Sequence, residues 1–475
     1  MAQGIIIAGT HSGCGKTTVT LGLLAALQKK GLKIQSFKTG PDFIDAGLHK
    51  IITGRPSRNL DLWMCNEDYV RDCFFKNSLD ADIAVIEGVM GMYDGDFSTA
   101  YLASFLDLPV VLVVDAYGMA ESAGAVVKGF VEFTHSPITG VVFNRVASDK
   151  HFERLKSSVN GVAVLGYLPR DLDFEIPHRH LGLAVAEENP ITDETFNRLS
   201  EAVLKYIDVD DILRKTAASG LPDFMPSALP VFQPSALRIA VAYDKAFCFY
   251  YEDNLDMLRD LGAEIIKFSP ISDLGIPDKA DCVYIGGGYP EIYAKELSEN
   301  RSMLKSVNDW ANAGRPMYAE CGGLMYLSQG IYDFDRNFYK MADVLPFETQ
   351  MKKGRSRLGY REITLKEDCI LGKKNSIMRG HEFHYSEIVK SAEEGTVPDL
   401  RTSPSVIPGE VVESGLSPSL GIKITDRIYS VRDGSGKHIQ DEGYVFKNIL
   451  ASYVHIHFGS NPDIADNFAR FIKEN

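Results

Sequence analysis

The stretch Gly4–Thr18, GIIIAGTHSGCGKTT, limits most sharply what this chain can become. An apolar run, Ile5–Ala8, reads as a buried strand. It breaks into a loop carrying Gly9, Gly13 and Gly15, then into Lys16, Thr17 and Thr18. The VTLGLLAALQKK that follows is apolar with helical periodicity. Strand, glycine-rich loop and helix together make a phosphate cradle. Glycines let backbone N–H groups turn inward at a helix N-terminus, where the dipole also favours an anion. Lys16 is expected to reach the terminal phosphates, and Thr17 to offer its hydroxyl to Mg²⁺. The strict spacing G-x-x-x-x-G-K-[ST] asks for glycine at position 10, and this chain has Thr10 with Gly9 beside it. The loop is therefore a variant. The bland alternative is a glycine turn between strand and helix, which leaves Lys-Thr-Thr without a reason.

Further strand-like runs follow at regular spacing: Lys33–Lys38, Asp82–Glu87, Val110–Asp115, Ile138–Phe143 and Val162–Tyr167, with a small-residue helix over Met119–Phe133. Alternating strands and helices with short loops predict a mostly parallel, doubly wound α/β sheet. Its strand ends carry the chemistry-bearing residues. Asp42 and Asp45 follow the second strand. Glu87 closes the third, where a nucleotide-binding sheet holds Mg²⁺, and Asp94 lies just beyond. Asn144 ends the fifth, placed to read an adenine edge or to serve as a polar cap. Arg55 and Arg58 sit in a basic loop suited to phosphate or a substrate carboxylate, or to solvent. Pro177–Gly182 is another basic loop at a strand end.

Proline-rich sequence without periodicity then interrupts the pattern. It divides the chain into residues 1–218, a linker at 219–236, and a second domain at 237–475. The second domain again opens on strands, at Arg238, Glu264–Phe268 and Cys282–Ile285, the last running into Gly286, Gly287 and Gly288. Pro316–Ala319 is followed at once by Glu320-Cys321-Gly322-Gly323 and an apolar helix start. This has the form of a nucleophile elbow, a reactive side chain on a tight strand-to-helix turn. A helix N-terminus at that place is expected to lower the thiol pKa toward neutrality. Residues 341–437 are less regular. In Ser452–Ser460, residues two apart on a strand share a face, so His455 and His457 are both expected to face Cys321, one as its base and the other orienting it.

The formal net charge of −14 argues against nucleic acid or an anionic membrane as the main partner, and no apolar run approaches a membrane span of roughly 20 residues. The seven cysteines contain no CxxC pair, so neither a zinc ribbon nor a disulfide framework is indicated. A reducing cytoplasm is the expected setting.

AGTHSGCGKTT, FKTGPDFIDAGLH, TGRPSRNLD, VIEGVMGMYDG, PRDLDFEIPHRHLGL, FCFYYEDNL, GGGYPE, YAECGGLMYL, GHEFHY and SYVHIHF together resemble the cobyrinate a,c-diamide synthases, over essentially the whole chain. These are glutamine-dependent amidotransferases of corrinoid synthesis. The N-terminal half is similar to dethiobiotin synthetase, and the C-terminal half to a class I, triad glutaminase. The resemblance implies two coupled reactions. Glutamine is hydrolysed to ammonia in the second domain. In the first, ATP and Mg²⁺ activate the a and c acetate carboxylates of cobyrinate as acyl phosphates, which ammonia converts to amides.

By that resemblance Gly13, Gly15, Lys16, Thr17, Thr18 and Asn144 hold ATP. Asp42, Asp45, Glu87 and Asp94 match family acids around metal and substrate, with Thr17, Asp42 and Glu87 the expected metal ligands and Asp45 and Asp94 serving the substrate; Arg55 and Arg58 are substrate candidates from their basic loop alone. Cys321 and His455 are the glutaminase pair, with Gly286, Gly287, Gly288 and Gly322 around glutamine and its oxyanion. Partition-type ATPases carry a signature lysine where this chain has His11. Common triad glutaminases carry a Glu where this chain has His457, so the third triad member is His457 or absent. Hydrogenobyrinate and nickel sirohydrochlorin are alternative substrates for the same chemistry, and a partition-type regulatory ATPase is the alternative of a different class. A homodimer is the expected assembly, carried by no residue pattern.

Overall fold

The computed structural model describes residues 3–134, 137–172, 178–179, 182–183, 185–188, 190–217, 237–354, 357–391 and 427–475. The proline-rich segment 219–236 and half of the basic loop 177–182 lie outside them.

Among the described residues the first sheet has seven parallel strands. They are β1 (Gln3–Gly9), β2 (Ile34–Thr39), β3 (Arg58–Leu60), β4 (Ile83–Glu87), β5 (Val110–Asp115), β6 (Ile138–Val146) and β7 (Ala163–Pro169), in the spatial order β3-β2-β4-β1-β5-β6-β7. The central strands are apolar along their whole length because helices cover both faces. Ile5, Ile6, Ile7 and Ala8 of β1 are all fully buried. Helix α1 (Lys16–Lys29) leaves β1 through the glycine loop, and α2 (Ile44–Thr53) leaves β2 through the Asp42 loop. The chain runs from β1 outward to β2 on one side and later takes up β5 on the other. The glycine loop therefore opens at the place where strand order reverses, which is where open α/β sheets bind ligands.

The second sheet is half parallel and half antiparallel. Its parallel part has the order Glu264–Phe268, Arg238–Ala242, Cys282–Ile285, Met317–Glu320, Ile449–Ser452. It continues antiparallel through His438–Phe446, Arg427–Asp433, Arg357–Leu365, Ile377–His384 and the two-residue strand His455–Ile456. The stretch expected to be irregular thus supplies much of this sheet. The sheet curls until its last strand returns to its middle: Ile456 N donates to Glu320 Oε1 at 2.9 Å. His455 is thereby brought back to the end of the strand that carries Cys321.

Aromatic and charged contacts join the two sheets' surroundings. Trp63 stacks on Tyr360 with ring centroids 4.6 Å apart, and Arg58 pairs with Asp253 and Asp256 at 3.2 and 2.6 Å. Among the described residues no helix is long and apolar enough to cross a membrane.

Candidate functional site

Two sites sit at strand ends, one in each sheet. In the first, Gly13 and Gly15 adopt φ of 82° and 98°, which lets the loop fold back over the start of α1. A Cβ on Gly15 would lie 1.9 Å from Asn144 Nδ2, and that amide donates to Cys14 O at 3.0 Å. Asn144 thus braces the cradle from beneath. Lys16 Nζ donates to the carbonyls of Met90 and His11, so its ammonium is held across the loop mouth. Burial lowers its pKa, and Lys38 adds to that.

Beside the cradle lies a buried polar knot. Thr17 Oγ1 donates to Glu87 Oε1 at 2.7 Å and lies 3.5 Å from Asp45 Oδ2. Lys38 Nζ bridges the same two acids at 2.6 Å to Asp45 and 2.9 Å to Glu87. His49, fully buried, meets the other Glu87 oxygen at 2.7 Å. Asp42 Oδ1 accepts from Asp45 N at 2.9 Å. Burial alone would raise Glu87, but Lys38 and the His49 hydrogen bond hold it well below the usual carboxylate range. Asp45 goes the other way: burial, then the charges of Glu87 and Asp42, push it well above that range despite Lys38. Of the two acids, Glu87 is therefore the more firmly ionised. Burial disfavours the Lys38 cation, yet Glu87, Asp45 and Asp42 keep it firmly charged.

A cavity of about 650 Å³ opens over these groups, lined by Gly13, Lys16, Thr17, Thr18, Asp42, Asp45, Glu87 and Asn144 among others. Its wall also includes Lys38, Arg145 and Arg170, which sequence reasoning missed. Lys38 was hidden inside a strand-like run; a lysine in an otherwise fully buried strand was the available signal. Arg55 and Arg58 do not line this cavity. Arg55 grips Asp80 and Gln35, and Arg58 is held by Asp253 and Asp256, so both guanidinium groups are committed to the protein's own acceptors. Asp94 closes its own turn by accepting from Gly91 N at 2.8 Å.

In the second site Cys321 sits alone between the strand Met317–Glu320 and the short helix Gly322–Leu327, with φ 49° and ψ −102°. Non-glycine residues rarely adopt such a φ, and its cost is tolerated where surrounding structure enforces it. Here Cys321 N is tied to Ser452 O at 2.7 Å, and Gly323 N to Gly286 O at 3.0 Å. Gly287 must lack a side chain. A Cβ there would fall 2.3 Å from His455 Cε1, 3.0 Å from His455 Nε2 and 3.4 Å from Cys321 Cβ. The imidazole edge and the Cys321 Cβ thus converge on one point beside Gly287. Gly288 N lies next to Gly322, 3.2 Å from where its Cβ would be, and Gly286 N is occupied by Tyr250 Oη at 2.7 Å.

The thiol is not primed as the turn suggested. Burial pushes Cys321 far above its ordinary value, and the acids Glu291, Glu382 and Glu320 add to this. The helix after it has six residues, too short to offset that loss of hydration. Burial likewise takes His455 down to about 3, with His384 assisting, so the resting imidazole is neutral.

The second histidine does not share the site. The strand ends at Ile456 and the chain turns into a 3₁₀ segment, Phe458–Ser460, so the two-residue alternation stops before it can act. His457 Nδ1 lies 3.4 Å from Cys65 Sγ, and its ring packs on Tyr251 and Tyr69 at 4.6 and 5.5 Å. It belongs to the contact between the two halves.

One loop links the two sites. Phe43 lies between Asp42 and the first turn of α2, and its ring meets Phe249, Tyr251, His381 and His455 at 5.3, 4.7, 5.4 and 5.1 Å. The loop that carries Asp42 into the first cavity therefore supplies a wall against the imidazole of the second.

Residues 5–183 match the family described as the CobQ/CobB/MinD/ParA nucleotide binding domain, and residues 238–416 match the CobB/CobQ-like glutamine amidotransferase domain. The chain is 40% identical to the cobyrinate a,c-diamide synthase of Caldanaerobacter subterraneus subsp. tengcongensis, covering 96% of this chain and 95% of that one. It is 41% identical to the enzyme of that name in Syntrophotalea carbinolica, covering 99% and 98%. To the Salmonella typhimurium protein of the same name it is 38% identical, covering 98% and 96%. At that identity over nearly the full length of each, the chain belongs to the cobyrinate a,c-diamide synthase family.

Proposed function

We propose that this protein amidates the a and c acetate carboxylates of cobyrinate, using ATP and ammonia released from glutamine, in cobalamin biosynthesis. The observation that carries the reading is the shared wall at Phe43. An anion cradle with buried acids and a cysteine–histidine elbow are set on either side of one residue. The names of the relatives supply the tetrapyrrole.

The chemistry begins at Cys321. His455 Nε2 takes the thiol proton, the thiolate attacks the glutamine carboxamide, and the imidazolium returns the proton to the departing nitrogen as ammonia. Water then releases glutamate from the thioester. Gly288 N is the oxyanion donor we assign from its place beside Gly322. In the first site a carboxylate is too poor an electrophile to be amidated directly. Transfer of the γ-phosphoryl group supplies a leaving group, and ammonia displaces it as phosphate. Lys16 and the amides of the glycine loop stabilise charge spreading over the transferred group. Lys38 adds a second fixed cation in the cavity wall.

The oxygen donors of Thr17, Glu87, Asp45 and Asp42 suit Mg²⁺. Among the described residues no cluster of three or more His, Cys, Asp or Glu side chains forms a ready metal cage. When bound, the ion would be held by Thr17 and Glu87 and would supply positive charge to offset the charge on the transferred phosphoryl group. A void of about 50 Å³ lies beside Phe43, lined by Phe249, Tyr250 and Asn59 among others. We further assign residues 1–218 and 237–475 as the synthetase and glutaminase domains, a cytoplasmic setting, and a homodimer.

The test is mass gain on cobyrinate with ATP and glutamine. Two successive amide increments are expected, and none with glutamine but no ATP. Amidation of nickel sirohydrochlorin or hydrogenobyrinate in place of cobyrinate would move the substrate assignment while leaving the chemistry.

A further inference from the structure

We infer that Glu320, the residue immediately before the nucleophile, is the positioning acid of the glutaminase site, facing His455 Nδ1 in the role that a separate glutamate plays in common triads. This rests on the cysteine–histidine reading above. His455 Nδ1 is buried and makes no hydrogen bond in the described structure. A buried N–H without an acceptor is costly, and more so once the ring becomes an imidazolium during turnover. The carboxylate recorded against it is Glu320, with Oε2 at 3.9 Å from Nδ1. That separation is too long for a hydrogen bond in this state. Catalytic hydrogen bonds are often long before substrate arrives and tighten in the complex.

Glu320 is built to stay where it is. Tyr318 Oη donates to Oε1 at 2.7 Å, Ile456 N to the same oxygen at 2.9 Å, and Tyr284 Oη to Oε2 at 2.8 Å. Three donors around a carboxylate that is only 1% exposed fix its plane and favour its ionised form. Along a regular strand, residues 320 and 321 would point to opposite faces. The left-handed turn at Cys321 breaks that alternation, so Glu320 lies on the Nδ1 side of the imidazole while Cys321 and Nε2 both border Gly287. Sequence reading missed this because it looked two residues beyond the histidine.

During turnover the thiol proton moves from Cys321 Sγ to His455 Nε2, and the proton already on Nδ1 stays there, shared toward Glu320. No proton is transferred to the carboxylate. Burial pushes the Glu320 carboxyl up to about 7, against its tyrosine and backbone donors. The groups facing Glu320 are Tyr284, Tyr318 and His455, with Tyr250 and Tyr429 in the next layer. Those acting on His455 are His384, Glu382 and the stacked His381. Protonating Glu320 removes the partner of Nδ1, so this ionisation sets an acid limb for glutamine hydrolysis near neutral pH.

The experiment uses the full-length protein and compares glutamine hydrolysis with ammonium-driven amidation. Glu320→Gln keeps the shape and removes the charge. Its kcat for glutamine hydrolysis is expected to fall about 10²-fold, with KM within about threefold and ammonium-driven amidation unchanged. Tyr284→Phe removes one donor to the carboxylate and should move the acid limb up by about one pH unit. This second variant decides the matter if Glu320→Gln loses ammonium-driven amidation as well, the sign of a misfolded protein. Full glutaminase kcat in a folded Glu320→Gln protein, or an acid limb unmoved in Tyr284→Phe, overturns the assignment of Glu320. Glutamine hydrolysis persisting in Cys321→Ala would instead overturn the elbow reading on which it rests.

Discussion

At the end of β1 a run of glycines turns the chain, leaving backbone N–H groups and two lysines arranged for an anion. At the end of Met317–Glu320 a single strained cysteine does the turning, among groups that burial keeps neutral. The first site stores charge: Lys38 and Glu87 are both ionised and almost wholly buried, each held by the other. The second stores none at the reacting atoms, since Cys321 is driven up and His455 down to about 3. The difference follows from what each must do. A phosphoryl group brings its own negative charge and needs fixed cations waiting. A neutral carboxamide brings none, so the nucleophile must be made on the spot by passing one proton between neighbours.

The comparison breaks most sharply on paired knockouts. Lys16→Ala should cost about 10³-fold or more in amidation with glutamine or with ammonium, because both need the activated carboxylate. Cys321→Ala should abolish glutamine-driven amidation and leave the ammonium-driven rate intact. Loss of ammonium-driven activity in a folded Cys321→Ala protein would show that the two chemistries are not separable. A smaller effect is expected at the charge store itself. Glu87→Gln leaves Lys38, Thr17 and His49 facing a neutral amide, and ammonium-driven amidation should fall about 10²-fold or more. An unchanged rate would remove Glu87 from the machinery.

Below these comes the shared wall. Phe43→Ala opens space beside the His455 ring while leaving both sets of reacting groups in place. Glutamine consumed per amide formed should rise several-fold, with ammonium-driven amidation near normal. A ratio unchanged from the native protein would mean that Phe43 only packs.

The two sites also differed in how readily the sequence disclosed them. Parallel strands buried on both faces read as unbroken apolar runs, so β1, β4 and β5 were placed within a residue or two, and Val110–Asp115 at its ends. Glycine loop, Lys16 and Cys321 were legible because each needs a rare local pattern. Lys38 and His49 were not, since their roles come from neighbours that β4 brings across the sheet, 49 and 38 residues away in sequence. Arg58 was read as a loop cation, yet it lies on β3 and pairs with acids almost two hundred residues on; only tertiary contact fixes its partner. Residues 341–437 looked irregular because antiparallel strands at a curled edge, such as Arg357–Leu365 and Ile377–His384, alternate weakly, and the tie from that edge back to Glu320 is invisible along the chain.

The smallest effect concerns the residue that sequence pattern assigned most reasonably and geometry places elsewhere. His457→Ala should leave glutaminase kcat within about threefold, because the ring packs on Tyr251, Tyr69 and Cys65 and has no part in the proton transfer. Its cost should appear in stability, about 2 kcal/mol at pH 8 from the lost ring contacts. That cost should shrink on acidification. Burial lowers His457 to about 3, below the roughly 6.5 of an unfolded histidine, so between those values the unfolded chain binds the extra proton and the native protein loses stability as pH falls. The alanine variant lacks that penalty. Linkage puts the recovered difference at about 1 kcal/mol by pH 5.5. Urea unfolding of both proteins at pH 8 and pH 5.5 measures it. A gap that stays constant or widens would mean that His457 is charged in the native state, held so by Asp253, whose Oδ2 lies 3.9 Å from Nε2.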